Sequence, residues 1–420
     1  MRRIRESRRL RAGLLVLAAT AAALTLLIVW AAAPIAGHAR PGMTAPDWSK
    51  LVVGPYPSGP TDYNPLYSAA TDAYRIESRR MLTYLVSPDE IDPDITTLGE
   101  ARTLDTSDGN FGDPDDFIGK NAPFPKNWQP VAVANRLIAG AYIWRTNNSV
   151  RARKQITLAL LRFPTEQAAR AAANGFADTL VTPASHAIPL DGVDARASAV
   201  TDDRGQLFAA HGVYVIVTHV VIPQADTTAL AARLKEVLQA QLTRMTDLKP
   251  TPLEDIPDLA ADPDGLLRLT LPNKFDASDE DHDSWGSAQG GLYSPAGALH
   301  FERDVVAVRK AFDAAGVDVV ARNAATVYRT RDLAAAFGLQ AALTRPGRDD
   351  DLLANPPGLV DASCLQLDEP EPIRRHIFLC AVVVGRYVAV IGAQAEFSGA
   401  EPSSFPQRVA AQYSMLAKSG

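Results

Sequence analysis

Three hydropathy patterns follow one another along this chain. Between Ala12 and Ala39 there is no Lys, Arg, Asp or Glu, and an apolar core runs from Gly13 to Ala33. As a helix rising ~1.5 Å per residue this core is about 31 Å long, close to the ~30 Å of a bilayer's hydrocarbon layer. Arg2, Arg3, Arg5, Arg8, Arg9 and Arg11 precede it and should stay in the cytoplasm, which places residues 40–420 outside. A secretory signal has a shorter apolar stretch, about 7–15 residues, and a small-residue cleavage site. Here Ala31-Ala32-Ala33 runs into Pro34, and Gly37-His38-Ala39 is a weak match. The pattern predicts a cytoplasmic basic tail over 1–11 and a transmembrane signal anchor over 12–36. A long cleaved signal peptide and a buried core helix are the alternatives.

The second and third patterns share the rest of the chain. A Pro-, Gly- and Ser-rich stretch within 37–62 reads as a linker. Pro250, Pro252, Pro257 and Pro263 interrupt any helix over 247–265, a second linker. They delimit a first domain, 63–246, and a second, 266–420. In the first, Gly212 to Val217 is a strand, followed by a helix from Thr227 to Met245 with Leu230, Leu234, Val237, Leu238 and Leu242 on one stripe. In the second, Gly385 to Val390 is a strand, followed by a helix from Ser404 to Leu416 with Val409, Tyr413 and Leu416 on its stripe. Upstream, a strand at Ile156–Leu161 and a helix over 165–180, N-capped by Thr165, correspond to a strand at Ala325–Arg329 and a helix over 331–343. Further helices are expected over 69–86 and 302–315. The order predicts an α+β chain of two related antiparallel sheet-plus-helix domains, by internal duplication. Two dissimilar domains with similar ends are the alternative.

Composition narrows the class. Hydrophobic residues make up 47% and charged residues 21%, values of a globular chain. The net charge of −6 hides a basic tip: the arginines and the single Glu6 of residues 1–39 leave −11 on the remainder. An acidic body is unsuited to gripping nucleic acid. Cys364 and Cys380 sit on two short apolar runs joined by a turn, which predicts a disulfide across a hairpin in an oxidising compartment. Two free buried thiols are the alternative. If the disulfide forms, Cys364→Ser should lower the melting temperature of the second domain only.

Candidate chemistry is sparse. No phosphate loop, dinucleotide fingerprint, nucleophile elbow or S-x-x-K occurs, and the histidines (His38, His186, His211, His219, His282, His300, His376) never form H-E-x-x-H. His211 and His219 flank what reads as one strand, about 26 Å apart at ~3.3 Å per residue, too far to share a metal. Two acidic clusters, Asp105/Asp108/Asp113/Asp115/Asp116 and Asp276/Asp279/Glu280/Asp281/Asp283, have the oxygen donors a calcium loop needs. In the second, however, Ser284 stands where an EF-hand loop requires glycine and Gly290 where it requires glutamate. Solvated acidic loops are the plainer reading. Trp48, Tyr56, Tyr63, Tyr67, Trp128, Tyr142 and Trp144 could line a cleft for a lipid or glycan, or fill a core. No catalytic, cofactor-binding or metal residue is assigned.

Several segments carry a resemblance. Trp48-Ser49-Lys50-Leu51-Val52-Val53-Gly54-Pro55-Tyr56-Pro57, Asp262-Pro263-Asp264-Gly265-Leu266, Gly297-Ala298-Leu299-His300-Phe301, Ala315-Gly316-Val317-Asp318, Thr326-Val327-Tyr328-Arg329-Thr330-Arg331-Asp332 and Ala410-Ala411-Gln412-Tyr413 spread over nearly all of residues 46–420. Together they resemble a family of actinobacterial envelope proteins of unknown function, found in mycobacteria, nocardiae and rhodococci and commonly lipoproteins. This chain lacks their anchoring cysteine and substitutes an apolar helix. The second half, with its Cys364–Cys380 hairpin and Gly385-Arg386-Tyr387 strand, is also similar to extracellular sensor domains of mycobacterial serine/threonine kinases. The resemblance implies an extracytoplasmic protein held in the inner membrane by its N-terminal helix, and it supplies no catalytic residues. Noncatalytic binding of a lipid or cell-wall ligand, or of an envelope protein, is the expected function. An envelope hydrolase or a structural scaffold is the alternative.

Overall fold

Strand propensity and alternation build the first sheet from β1 (Thr97–Thr103), β2 (Ala139–Thr146), β3 (Gln155–Arg162), β4 (His186–Ile188), β5 (Arg196–Thr201), β6 (Arg204–His211) and β7 (Tyr214–Val221). Their order is β1-β2-β3-β7-β6-β5-β4, antiparallel throughout. The second sheet holds β8 (Gly291–Tyr293), β9 (Val319–Arg322), β10 (Ala325–Arg329), β11 (Asp351–Leu353), β12 (Ser363–Gln366), β13 (Phe378–Val384) and β14 (Tyr387–Ala393). Read from β8 its order is β8-β9-β10-β14-β13-β12-β11, the same path as the first sheet. This computed structural model describes residues 42, 44–62, 69–104, 124–272 and 290–419.

The helices sit where the two paths coincide. After the third strand of each sheet come α4 (Glu166–Thr179) and α8 (Leu333–Leu343). After the seventh come α5 (Thr227–Arg244) and α9 (Ser404–Ala417). Side-chain caps start three of them: Thr165 accepts from Ala168 N–H, Asp332 from Ala335 N–H, and Asp226 from Thr228 and Ala229 N–H. The remaining helices are α1 (Ala69–Leu82), α2 (Pro88–Ile91), α3 (Gln129–Ala134), α6 (Pro295–Leu299) and α7 (Val305–Ala315). Both sixth-to-seventh hairpins turn on two residues, Gly212-Val213 and Gly385-Arg386, with glycine at φ +54° and +55°. Positive φ at that position is what matches a tight turn to strand twist, and it favours glycine.

Two helices are shorter than their periodicity suggests. α1 stops at Leu82 because Thr83, Tyr84 and Leu85 donate to carbonyls three residues back, and Pro88 then opens α2 behind a Ser87/Glu90 capping box. α7 starts at Val305, with Asp304 capping Ala307 N–H, rather than at Glu302. The carbonyl of Glu302 is spent on another partner, described below. Residues 45–62, expected as a linker, are laid along the second half. Asp47 N–H donates to Gly358 O at 3.0 Å, Thr61 N–H to Arg268 O at 3.0 Å, and Tyr56 joins the core beneath α9.

The two halves are joined by apolar packing as well as by chain. One core cluster runs from β2, β3, β7 and α5 of the first half through α1 to α7, α8, Tyr293 and Tyr328 of the second. Two further cores are private: Trp128, Phe163, Phe176 and Phe208 under α4, and Ala325, Phe378, Ile391, Val409 and Met415 under α9. Residues Ala45–Gly420 accordingly form one compact unit. Cys364 and Cys380 are direct cross-strand partners on β12 and β13 and form a disulfide. The segment 12–36 lies outside the described residues, among which no helix is long and apolar enough to cross a membrane.

Candidate functional site

Helix α1 carries buried polar side chains on both of its sides where the two halves meet. At 100° per residue, Arg75, Arg79 and Leu82 fall on one side of the helix and Glu77 and Arg80 on the other. The two sides meet different environments.

On the first-half side Glu77 is fully buried and saturated with donors. Its Oε1 accepts from Arg162 Nη1, and from Arg80 Nη2 at 3.1 Å. Its Oε2 accepts from Arg80 Nε and from Thr251 Oγ1, both at 2.9 Å. Burial pushes this carboxyl's pKa up, but the hydrogen bonds and charges of Arg80 and Arg162 outweigh burial and hold it below the ordinary range. Arg162 Nη2 also donates to Thr251 O, and Arg80 Nη2 to Lys249 O at 2.9 Å. The proline-rich segment is thereby stitched to the first sheet.

A second group of contacts crosses between the halves. Arg145 of β2, 1% exposed, donates from Nη1 to Thr96 O at 2.7 Å. Its Nη2 donates to the carbonyls of Glu302, His300 and Leu299 at 2.9, 3.3 and 3.4 Å. Desolvation pulls its pKa down to about 10. The His300 ring Nε2 lies 3.0 Å from Leu82 O, and burial with the nearby Arg145 charge takes its pKa down to about 3. The imidazole is therefore neutral, and Nε2–H is the donor to that carbonyl. Arg309 of α7 clamps Asp89 of α2 at 2.6 and 3.2 Å, and Thr83 Oγ1 meets Ser294 Oγ at 2.7 Å.

On the second-half side of α1 the buried Arg79 and Arg322 form no ion pair among the described residues. Arg79, 3% exposed, gives one hydrogen bond, from Nη1 to Gly290 O at 2.7 Å, while its buried Nε and Nη2 have no partner among the described residues. Arg322 of β9, 6% exposed, has its guanidinium carbon 4.0 Å above the Phe301 ring, and its Nε is likewise without a partner there. Gly291 brings the two together. It is the cross-strand partner of Arg322, and a Cβ on it would fall 2.4 Å from Arg79 Cζ. Arg79 thus occupies the space that a side chain opposite Arg322 would fill.

Around this pair the charge stays positive. Tyr293, edge-on to Phe301 at 5.3 Å, has its pKa raised by burial against the opposing charges of Arg79, Arg322, Arg374 and Arg75. His376 is held well below its usual value by burial and then by Arg374, Arg408 and Arg322. Arg75, Arg374 and Arg408 make further contacts of their own. Glu302 is the buried acid nearby. Burial raises its pKa in spite of the Tyr328 hydroxyl donating to it at 2.8 Å and the charges of Arg322 and Arg145, and Glu371 adds to the rise.

The residues singled out from sequence fare differently. His211 and His219 lie on separate strands, β6 and β7, because the chain reverses at Gly212; the single-strand separation of about 26 Å does not apply. Burial, with the charges of Arg204 and Arg153, lowers the His219 pKa to about 4. The aromatic residues do not converge on a cleft. Trp128 and Tyr142 pack in the core under α4 with Trp144 against it, Tyr56 packs under α9, and Trp48 lies 5.9 Å from Tyr413; Tyr63 and Tyr67 lie outside the described residues. Both acidic clusters also lie outside them, and no group of three or more potential metal ligands occurs among those described. Sequence reading missed the junction arginines. The available signal was Arg322 ending the run Val319-Val320-Ala321, where strand alternation calls for an apolar residue.

A chain of two seven-stranded α+β halves around a buried arginine junction defines the class. The N-terminal part of a domain of unknown function, DUF7373, matches residues 65–261, and its C-terminal part matches residues 266–419. The chain belongs to this DUF7373 family. Among solved structures, the extracellular domain of PknH from Mycobacterium tuberculosis is similar at 13% identity, over 39% of this chain and 96% of that one, with a TM-score of 0.23. No curated protein matches.

Proposed function

We propose that this protein is a noncatalytic binding protein of the cell envelope, held at the inner membrane by the apolar segment 12–36 with residues 40–420 on the outer side. Its ligand is a lipid-like or cell-wall molecule, or a segment of an envelope protein, received where the two halves meet. The observation that carries this reading is Arg79 and Arg322, buried side by side without a carboxylate partner among the described residues. Stability alone does not favour such an arrangement, since a buried charge left uncompensated opposes folding. The disulfide between Cys364 and Cys380 supports an oxidising compartment. Native mass spectrometry of the full chain released from membranes in mild detergent tests the reading. A stoichiometric adduct that denaturation releases is the expected result, and a ligand-free mass would overturn it. Labelling of residues 40–420 from outside intact cells tests the orientation.

A further inference from the structure

We infer that Arg79 and Arg322 form a site for a phosphate-type oxyanion, carried either by free phosphate or by the phosphodiester of a lipid headgroup. The inference rests on the reading that the junction receives a ligand and narrows that ligand's chemistry. Register places the two guanidinium groups on one face of the β8–β9 pair: Gly291 and Arg322 are opposite one another, and Arg79 sits where the glycine's side chain would project. Among the described residues each group is anchored at one point. Arg79 spends Nη1 on Gly290 O, and Arg322 rests its flat face on Phe301, which leaves N–H groups at the edge of each fork.

Like charges on one face repel, and among the described residues no ion pair joins either arginine to a carboxylate; Glu302, whose Oε1 accepts from the Tyr328 hydroxyl, feels the Arg322 charge without meeting it in an ion pair. A single carboxylate offers two oxygens to one fork. Inorganic phosphate offers four, with up to two negative charges, and a phosphodiester offers two unesterified oxygens pointing apart on a tetrahedral phosphorus, so either can accept from two forks at once. Gly291 has a definite part in this: any Cβ there would displace Arg79, and its φ of +138° is one that L side chains rarely adopt.

The test is thermal melting of the full chain in micelles of a phosphate-free detergent, titrated with inorganic phosphate in one arm and doped with phosphatidylglycerol in place of diacylglycerol, which has no phosphate, in the other. A saturable rise in melting temperature is expected in at least one arm; a rise with phosphate identifies the free anion, and a rise with phosphatidylglycerol alone identifies a headgroup. Arg79→Met and Arg322→Met should each weaken the response at least tenfold. Without ligand, both variants should melt at or above the parent temperature, by about 1–3 °C, because each removes a buried charge with no carboxylate partner among the described residues. Arg322→Lys should fold and keep a weakened response. Absence of any response in the parent, or an undiminished response in the Met variants, would overturn the site. Variants too unstable to purify would assign these arginines to folding and overturn it as well. A native-mass adduct that persists in Arg322→Met would refute the oxyanion site and leave binding at the junction standing. A clean mass together with no response would remove both.

Discussion

Arg79 and Arg80 are neighbours on α1, yet they point to opposite sides of the helix and meet opposite chemistry. Arg80 and Arg162 share the buried carboxylate of Glu77, so each of these two guanidinium groups has a carboxylate oxygen within 3.1 Å. Arg79 enters a region where arginines outnumber carboxylates and its own Nε and Nη2 are unmatched among the described residues. The first arrangement is what a fold needs in order to bury an ion pair at all. The second has no carboxylate counterpart among the described residues, which is why it, and not the better-formed network, is the place to look for a ligand.

Acid separates the two sides most strongly. His219, His300 and His376 have pKa values below the usual 6.5, the first two at about 4 and about 3. Below pH 6.5 the unfolded chain therefore takes up protons that the folded chain refuses, and stability falls until the folded values are reached. At about 1.4 kcal/mol per pH unit and group, a loss of several kcal/mol is expected by pH 4, measured by denaturant titration across pH. Glu302 opposes this trend, since its raised pKa contributes stability that is lost as pH rises. The Glu77 and Asp89 pairs act in a lower window: their contribution is complete above the ordinary carboxylate range and fades only as pH falls toward their lowered values. His300→Gln should flatten the profile between pH 6.5 and about 3; an unchanged profile would count against a neutral, buried imidazole.

Glu77→Ala attacks the paired side directly. It strands Arg162 and Arg80 in the interior and should cost about 3–5 kcal/mol in urea unfolding. A loss under 1 kcal/mol would show that the network is no more valuable than a surface pair. Cys364→Ser comes next, at about 3 kcal/mol for a loop of this length. The shared core changes the form of that result: calorimetry should show one transition for residues 45–419 moving as a whole, in place of a second-domain loss alone. Two separating transitions would refute a continuous core across the halves. Arg145→Met removes the donor to three carbonyls of the second half and should cost about 1–3 kcal/mol, with faster hydrogen exchange confined at first to α6 and the turn after it. The smallest change belongs to Arg322→Met, where a slight gain in ligand-free stability is the distinguishing sign.

Much of the fold was legible because it depends on neighbours in sequence. Thr165 as a cap, the Leu230–Leu242 stripe and the repeated Gly-x-Tyr hairpins are local signals, and the two halves adopt the same strand order as that repetition suggests. Readings that depend on partners far along the chain were the ones that moved. The 45–62 segment carries no pattern of its own to show that it lies on α9, and helix periodicity over 69–86 could not register that Pro88 and Gln241 would claim the following turn. The histidine separation failed on a single glycine turn.

What the sequence by itself determined was therefore the element types, the two-part α+β plan and the pairing of Cys364 with Cys380, all set by propensity, periodicity and short-range spacing. Tertiary structure alone decided that the halves share a core and that Arg79 meets Arg322 across Gly291, residues more than two hundred positions apart. In the sequence, Arg79 and Arg80 are two equivalent charges in a helix. Only the folded environment makes one a satisfied partner and leaves the other without a carboxylate among the described residues, because the free energy of a buried charge is set by what surrounds it and not by the residue that bears it.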